Sequence, residues 1–298
     1  MSHDIHEALV IGGGPAGLAG ALYLARFRRQ VLLMDAGSSR AVRIPRSHNV
    51  AGFADGVAGE ALIGIMRKQV QAFGVDIVGG QVDTIEATAE GFRALGPQGW
   101  IHARTVLLAT GASDVEPAID DIQQALDEGA LRYCPVCDGY EVTDRNVGVL
   151  CKASQAGVSE ALYLRHFTPQ VQLFITSPEV TLDEAQRQQL ADAGIEWHEN
   201  AVTELALSDG DVIIKTGARQ VRCDSLYSAL GMNVHNQLAV ALGAQTDEDG
   251  YVLTDRHQQS TVPGLYCAGD VARGLNQISV GIGAAATAAS AMHLRLAT

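Results

Sequence analysis

The sequence predicts an α/β protein in which one strand–loop–helix–strand unit occurs twice, with the second unit inserted into the domain that contains the first. Three observations indicate this. An apolar strand runs directly into a glycine-rich loop at residue 12, a similar segment follows 140 residues later, and the last third of the chain returns to motifs that complete the first unit. A chain of 298 residues is long enough for two ordinary domains.

The first unit opens with the apolar run Ala8–Ile11, followed by the glycine-rich loop Gly12–Gly17 and an apolar segment typical of a helix. A G-x-G-x-x-G loop between strand and helix is the dinucleotide fingerprint of the Rossmann fold. We expect Gly12 to form the turn, Gly14 to admit a pyrophosphate, and Gly17 to let the helix pack closely. The helix N-terminus would supply N–H donors to the phosphates. The predicted binding residues of this loop are Gly12, Gly14, Pro15, Ala16 and Gly17.

The next strand, Val31–Asp35, ends in an acid. Asp35 lies 18 residues beyond Gly17, near the spacing expected for a carboxylate that binds a ribose hydroxyl. We therefore assign Asp35 and the adjacent Ala36 to the same site. A glycine-rich turn without a ligand would explain the loop alone, but it would not explain the ordered succession of strand, loop, helix, strand and acid.

Two distant segments indicate which dinucleotide binds. Val262–Asp270 is interpreted as a turn, a short strand and a Gly-Asp pair before a helix, and it resembles the second FAD motif of flavoproteins that bind two dinucleotides. Val106–Gly111 ends in Ala-Thr-Gly and resembles the segment that leads out of the FAD domain in that group. A capped helix start is the structural alternative for the Gly-Asp pair. With the first loop, both segments favour FAD and add Thr110, Gly111, Gly269 and Asp270 to its predicted site.

The second unit keeps the framework of the first but loses its ligand-binding residues. An ungapped comparison at an offset of 140 aligns Gly12 with Lys152, Gly14 with Ser154, Gly17 with Gly157, and Asp35 with Ile175. The packing glycine is retained, whereas the two glycines that admit a pyrophosphate are replaced. Two interpretations stay open: the loop binds NAD(P)H in an altered way through Lys152, or the unit is only a scaffold and electrons arrive by another route. We favour the second.

Residues 132–141 read RYCPVCDGYE and place two cysteines three positions apart. A C-x-x-C at a helix start has a lowered thiol pKa, and thiolate is the attacking species in disulfide exchange. A zinc site would need two more ligands at regular spacing, which the sequence lacks, so we predict no metal. Cys134 and Cys137 are predicted to be a redox pair, and Asp138 the acid that protonates a leaving thiolate. Inert buried cysteines and a helix-capping Asp138 are the alternatives.

These motifs occur in the order seen in low-molecular-weight thioredoxin reductases, and the resemblance covers nearly the whole chain. It includes Ser47–Phe53, which is similar to the family's loop near the flavin, and Asn276–Ile278, which is similar to its segment over the isoalloxazine. The resemblance therefore adds five residues to the predicted FAD site: His48, Asn49, Asn276, Gln277 and Ile278.

The resemblance implies two Rossmann-like domains of three-layer ββα type: an FAD-binding domain, residues 1–114 and 243–298, and an inserted NADPH-type domain, residues 115–242. It also implies a homodimer, with Cys137 facing the flavin and Cys134 exchanging with a thioredoxin-like protein or a small disulfide. Rotation of the inserted domain would present the pair to its partner.

The departures from the family pattern bear on the electron donor. The lost glycines and the absence of an arginine pair after residue 175 argue against the usual use of NADPH, and Cys-Pro-Val-Cys replaces the usual Cys-Ala-Thr-Cys. The stretch after Cys137 also resembles relatives that act without NADPH, namely ferredoxin-fed reductases and the oxygen-dependent dithiol oxidases of gliotoxin and holomycin biosynthesis. Those oxidases typically carry His where this chain has Asp138, which favours a reductase. A flavin redox sensor without turnover is the alternative outside enzymes.

Composition excludes several partners. The net charge is −13, and the only basic cluster, residues 26–29, is too short for a nucleic-acid surface. The longest small-apolar run, residues 280–292, is too short to cross a membrane. The N-terminus has neither a basic start nor a long apolar stretch, so we predict no signal peptide and a cytoplasmic location.

Overall fold

The computed structural model describes residues 5–152, 154–179 and 181–297, with the backbone but not the side chain of Ser154. The first four residues, part of the segment in which no signal peptide is predicted, therefore lie outside the described residues. So do Ala153 and the Ser154 side chain of the altered loop. Within the described part of the chain, no helix has the length and apolar composition needed to span a bilayer.

Contacts between residues divide the chain into two units. The first comprises Met1–Arg46, Val50–Ser113 and Val234–Thr298, and the second comprises Ser47–Asn49 and Asp114–Asn233. The first unit is thus discontinuous in sequence.

The helices and strands alternate as the sequence patterns predict. The N-terminal part contains β1 (His6–Ile11), α1 (Pro15–Arg26), β2 (Val31–Asp35), α2 (Gly59–Gln71), β3 (Asp76–Gly79), β4 (Thr84–Thr88), β5 (Gly91–Gly96) and β6 (Gly99–Leu108). Then follow β7 (Ala112–Asp114), α3 (Ile122–Asp127), β8 (Leu131–Arg132), α4 (Pro135–Asp138), β9 (Val147–Cys151), α5 (Ser154–Leu164), β10 (Val171–Ile175), α6 (Glu184–Asp192), β11 (Glu196–His198), β12 (Val202–Ser208), β13 (Asp211–Thr216), β14 (Arg219–Cys223), β15 (Ser225–Ala229) and β16 (Met232–Val234). The chain ends with α7 (Gln237–Ala241), β17 (Leu265–Cys267) and α8 (Ile278–Leu296).

The sheet of the first unit has the order β3-β2-β1-β6-β5-β4, with β17 also paired to β6. The pairs β1–β2, β1–β6 and β6–β17 are parallel, whereas β4, β5 and β6 form an antiparallel meander. The carboxyl ends of β1, β6 and β17 lie at the same edge of the sheet, because the three strands are parallel. The loops that carry the predicted dinucleotide motifs all leave from this edge.

The second unit has a fully parallel sheet of order β11-β10-β9-β15-β8 and an antiparallel sheet of order β12-β13-β14. Strands β7 and β16, by which the chain enters and leaves this unit, pair with each other. Each unit therefore combines a parallel sheet, an antiparallel meander and helices. The predicted α/β class with two Rossmann-like units is confirmed.

Small residues let helices pack closely on the sheet of the first unit. A side chain at Gly20 of α1 would overlap Leu107 of β6, and Ala285 and Ala288 of α8 are fully buried. The alanine-rich composition of the closing helix is explained by this close packing.

Candidate active site

The Cys134–Cys137 pair lies at the single turn of α4 in the second unit. The two side chains form a disulfide, with Cα atoms 5.3 Å apart. Cys134 precedes the helix, and its carbonyl oxygen accepts a hydrogen bond from the Cys137 N–H at 2.9 Å. Pro135 occupies the first helical position, where a missing N–H costs no hydrogen bond. Both cysteines are partly exposed, which does not fit the alternative of inert buried thiols.

The other three cysteines, Cys151, Cys223 and Cys267, are buried and lie outside disulfides. Burial raises the pKa of all three thiols, to about 12 for Cys223 and Cys267. Thiolate is therefore scarce at neutral pH, and these cysteines are unreactive packing residues. No group of three His, Cys, Asp or Glu side chains in the described ranges could hold a metal ion.

Two side chains hold the carboxylate of Asp138. Arg132 of β8 donates from Nη1 to Oδ2 at 2.7 Å, and the Tyr227 hydroxyl of β15 donates to Oδ1 at 2.8 Å. Burial raises the pKa of Asp138 and outweighs the lowering by Arg132 and Tyr227, while Glu141 raises it further. Asp138 makes no capping hydrogen bond to the 3-10 turn Gly139–Val142, so the helix-cap alternative is wrong. A carboxyl of this kind, directly after a disulfide, can retain a proton that a leaving thiolate needs.

The glycine loop of the first unit is built from backbone. Gly12 has φ +115°, and a side chain there would overlap the Ala109 carbonyl group. A side chain at Gly17 would overlap the Gly12 carbonyl oxygen, so α1 packs directly on the loop. A Cβ at Gly14 would meet only the Ser39 side chain, with Oγ at 3.2 Å, and α1 has no side-chain N-cap. The loop thus presents a bare helix N-terminus, which fits a dinucleotide pyrophosphate.

Asp35 lies beside this loop, only 6% exposed at the end of β2. Its Oδ1 accepts a hydrogen bond from the Gly37 N–H at 2.9 Å, and its Oδ2 pairs with Arg67 of α2. A side chain at Gly13 would overlap the Asp35 carboxyl group. The predicted ribose ligand is therefore fixed against the loop, whereas Ala36 beyond it is exposed.

Other predicted FAD-binding segments meet the same loop. A Cβ at Gly269 would lie 2.9 Å from the Ala16 Cβ, and one at Gly281 of α8 would lie 3.3 Å from the Gly269 Cα. Gly269 and Asp270 lie in a turn, and α8 begins only at Ile278, so the capped-helix alternative does not fit. The carboxyl ends of β1, β6 and β17 are thereby brought together.

The remaining residues of the predicted FAD site have individual partners. Asp270 pairs with Arg40 at 3.5 Å, and the Thr110 hydroxyl donates to the His235 carbonyl oxygen at 2.6 Å. The Asn276 amide donates to the Tyr251 hydroxyl at 3.0 Å. Gly111 adopts a positive φ of +69°, Pro15 begins α1, and Gln277 and Ile278 are the last residue before α8 and its first.

His48 and Asn49 are not grouped with the glycine loop. By their contacts, Ser47–Asn49 belong to the second unit, where the Asn49 amide donates to the Val136 carbonyl oxygen at 3.4 Å. Both His48 and Asn49 are exposed.

The strand register shows that the second unit departs from the ungapped comparison. Val10 pairs with Leu33 in the first unit, and Val149 pairs with Leu173 in the second. All four side chains belong to the helix-side core of their unit. Leu33 and Leu173 differ by 140 positions, but Val10 and Val149 differ by 139. Strand β9 is therefore displaced by one residue, and the loop after it is one residue longer.

Cys151, rather than Lys152, is consequently the counterpart of Gly12. A side chain at Gly157 would overlap Cys151, just as one at Gly17 would overlap Gly12, and the Gly157 N–H donates to the Cys151 sulfur. The predicted pairing of Gly12 with Lys152 is wrong, because the longer loop shifts the register. The packing role predicted for Gly157 is confirmed.

Comparison with known proteins places the chain in a family. The model of the family described as pyridine nucleotide-disulphide oxidoreductase matches residues 6–290. The chain belongs to this family. It is 28% identical over 301 residues to the thioredoxin reductase of Treponema pallidum, with 96% of this chain and 95% of that protein covered.

Two solved structures extend the comparison. HlmI has a TM-score of 0.88 and 30% identity, with 100% of this chain and 95% of that chain covered. Thioredoxin reductase from Streptococcus pyogenes has a TM-score of 0.89 and 25% identity, with 99% of each chain covered. The protein is therefore an FAD-dependent disulfide oxidoreductase similar to thioredoxin reductases.

Sequence reasoning missed the arginines and the tyrosine that hold the acids. Arg67 and Asp35 lie on different elements, as do Tyr227 and Asp138, and no sequence spacing connects such pairs. Arg132 precedes Asp138 by six positions, and the two side chains meet only because the chain turns between β8 and α4.

Proposed function

We propose that this oxidoreductase passes electrons between FAD and the Cys134–Cys137 disulfide, and from there to a thioredoxin-like protein or a small disulfide, without using NADPH in the usual way. The observation that supports this most is a partly exposed disulfide followed directly by a carboxyl group whose pKa is raised. Cys134 would exchange with the substrate and Cys137 with the flavin.

FAD, when bound, supplies a two-electron carrier that links the disulfide to an external donor or acceptor. The bare N-terminus of α1 would hold its pyrophosphate and Asp35 its ribose. The residues we assign to it are Gly12, Gly14, Pro15, Ala16, Gly17, Asp35, Ala36, His48, Asn49, Thr110, Gly111, Gly269, Asp270, Asn276, Gln277 and Ile278.

The exchange reaction follows from the chemistry of the pair. The Cys134 thiolate attacks the substrate disulfide and forms a mixed disulfide, and the displaced thiolate takes the proton of Asp138. The Cys137 thiolate then attacks the Cys134 sulfur, which restores the Cys134–Cys137 disulfide and releases the second substrate sulfur as a thiolate. The substrate gains two electrons, and the two cysteines lose two.

The altered loop of the second unit supports a donor other than NADPH. A cysteine stands at the position of Gly12, and the buried Ile175 stands at the position of Asp35. The second unit therefore lacks both the turn glycine and the carboxylate that would bind a ribose. A ferredoxin-like protein is the donor we propose. The proposed domains are 1–114 with 243–298 for FAD and 115–242 for the redox pair, in a cytoplasmic homodimer.

The second candidate is an oxygen-dependent dithiol oxidase, in which the same pair runs in the opposite direction. The similarity to HlmI favours this candidate. Asp138, in place of the His typical of such oxidases, favours the reductase. Hydrogen peroxide formed at the rate of dithiol loss would support the oxidase.

An anaerobic titration of the flavin-loaded protein tests the donor. NADPH and NADH are added in turn, followed by a dithiol and dithionite, while the flavin absorbance is recorded. We expect only the dithiol and dithionite to bleach the flavin. Rapid stoichiometric bleaching by either pyridine nucleotide would show that the altered loop still binds it.

A second experiment tests the relay itself. We expect Cys137→Ser to retain the flavin but to lose turnover with any disulfide or dithiol, because Cys134 alone stops at the mixed disulfide. Cys223→Ser, a change at a buried thiol of the same unit, is the matched control and should turn over normally. Full turnover by Cys137→Ser would rule out the relay.

A further inference from the structure

Arg132 contacts the carboxylate oxygen of Asp138 that Tyr227 does not contact. Its side chain is only 14% exposed, and its Nη1 donates to Asp138 Oδ2 at 2.7 Å. Its Nε lies 3.1 Å from the Gly129 carbonyl oxygen and 3.4 Å from the Ser225 hydroxyl. The guanidinium is therefore fixed by the backbone and does not depend on Asp138 for its position.

Tyr227 faces two acceptors of the same residue. Its hydroxyl lies 2.8 Å from Asp138 Oδ1 and 3.2 Å from the Asp138 carbonyl oxygen, and the tyrosine is fully buried. A hydroxyl has one proton, so it donates to one acceptor at a time, but it can also accept. If Asp138 is ionised, the hydroxyl donates to Oδ1. If Oδ1 carries a proton, the hydroxyl accepts that proton's hydrogen bond and donates to the carbonyl oxygen.

We propose that Arg132 and Tyr227 are positioning residues that let Asp138 gain and lose its proton without moving. Arg132 anchors Oδ2 in both states, and the Tyr227 hydroxyl rotates to satisfy whichever state is present. Both Asp138 carboxyl oxygens and the Tyr227 hydroxyl have a partner in either state, so proton transfer does not cost any of them a hydrogen bond. This inference rests on the proposed role of Asp138 as the proton donor in disulfide exchange.

Reduction by dithiothreitol isolates the step. A dithiothreitol thiolate attacks the Cys134 sulfur, the Cys134–Cys137 bond breaks, and the Cys137 sulfur leaves with the bonding pair and takes the proton of Asp138. The second dithiothreitol thiolate then displaces Cys134 and closes the oxidised ring. Two electrons pass from dithiothreitol to the cysteines in this step, and any transfer from the reduced pair to flavin follows it.

The charged and titratable groups that face Asp138 are Arg132 from β8, Tyr227 from β15 and Glu141 from the turn after α4. Arg132 and Tyr227 favour the ionised carboxylate, whereas Glu141 opposes it. Removal of either favourable partner raises the pKa of Asp138, so the acid form persists to higher pH.

The experiment measures anaerobic reduction of the disulfide by dithiothreitol from pH 5 to 9. Thiols are counted by alkylation and mass, and rates are divided by the thiolate fraction of dithiothreitol. In the unmodified protein the corrected rate falls as pH rises through the pKa of Asp138. Asp138→Asn should remove this fall. Tyr227→Phe should move it upward by about one pH unit, and Arg132→Gln by about one to two units. Arg132→Lys, which keeps the charge, should shift it less than Arg132→Gln.

Matched controls remove the same groups elsewhere. Tyr266→Phe removes a buried tyrosine hydroxyl of the first unit, and Arg165→Gln removes an arginine whose Nε donates to the Ala193 carbonyl oxygen. Neither should shift the profile. Tyr227→Phe leaves the backbone contacts of Arg132 intact, so it decides the outcome even if Arg132→Gln folds poorly.

The outcomes distinguish a failure of the positioning role from a failure of Asp138 as the proton donor. A shifted profile in Tyr227→Phe supports the positioning role, whether or not the protein turns over with a thioredoxin-like substrate. A lower rate with an unshifted profile, while Asp138→Asn removes the fall, overturns the positioning role and leaves Asp138 as the acid. If Asp138→Asn retains the fall of the unmodified protein, the proposed acid and its positioning residues are both wrong.

Discussion

The β1–α1 loop of the first unit and the β9–α5 loop of the second pack a helix onto a strand in different ways. In the first, Gly17 lies against the backbone of Gly12, so no side chain stands before the helix. In the second, Gly157 lies against the Cys151 side chain. Because both helices pack although only one loop is bare, we infer that the fold requires the helix glycine. The turn glycine is required only by the tight backbone path of the first unit, where Gly12 has φ +115° and lies against the Ala109 carbonyl group.

The two units also place their acidic residues at different positions. Asp35 stands at the end of β2, where the second unit has the buried Ile175. In contrast, Glu160 of α5 stands where α1 has Gly20, and its Oε2 is buried without a hydrogen-bond partner among the described residues. One unit thus places its acid beside the loop, and the other places it within the helix.

Substitution of the two helix glycines should give the largest contrast. Gly17→Ala sets a methyl group against the fixed Gly12 carbonyl oxygen, so we expect a loss of about 3 to 4 kcal/mol of stability and of bound flavin. Gly157→Ala sets a methyl group against the Cys151 Sγ and Cβ, of which only the sulfur can rotate away, so we expect about 2 to 3 kcal/mol and retained flavin. Urea unfolding and flavin absorbance measure both effects. Equal losses in the two variants would contradict the distinction between backbone and side-chain packing.

Glu160 should make the second unit sensitive to pH. Burial raises the pKa of Glu160 from 4.5 to about 7, so the folded state favours the protonated form. Stability should fall as pH rises from 4.5 to 7, by about 3 kcal/mol for a shift of this size. Glu160→Gln should abolish this dependence, with a gain of about that amount at pH 8 and little change at pH 4.

Urea unfolding at the two pH values measures the effect of Glu160. The exposed Glu179 offers the matched control, since Glu179→Gln should leave the dependence unchanged. If the unmodified protein and Glu160→Gln lose stability in parallel above pH 5, the raised pKa of Glu160 does not cause the pH dependence of stability.

The sequence predicted the architecture because strand, loop and helix patterns are local. The alternation of elements, the redox pair and the glycine loop all follow from residues adjacent in the chain. The shift of β9 could not be predicted, because Ala161–Leu164 matches Ala21–Leu24 without a gap and hides the longer loop. The partners of the acids could not be predicted either, since Arg67 and Tyr227 reach them only through tertiary packing.

Removal of the Asp35 charge should weaken flavin binding more than it weakens the fold. Asp35→Asn removes a buried carboxylate that pairs with Arg67 and is proposed to bind the ribose. Charge-assisted hydrogen bonds contribute about 1.5 to 3 kcal/mol, so the Kd for FAD should rise roughly ten- to hundredfold. Fluorescence titration of the apoprotein with FAD measures this. Asp76→Asn, a change at an exposed acid on β3, is the control, and equal Kd values in the two variants would argue against a ribose contact.

The smallest expected effects concern an aromatic pair that occurs at the end of α1 and again at the end of α5. Tyr23 and Phe27 have ring centroids 6.2 Å apart, and Tyr163 and Phe167, 140 positions later, have centroids 5.8 Å apart. Such pairs contribute about 0.5 to 1.5 kcal/mol beyond their buried area. We expect double-mutant cycles to leucine to give equal coupling in both units, with no change in flavin content. A coupling in only one unit would mean that helix-end packing has diverged with the ligand site. Equal couplings would locate the divergence of the two units in the loops at the other end of α1 and α5.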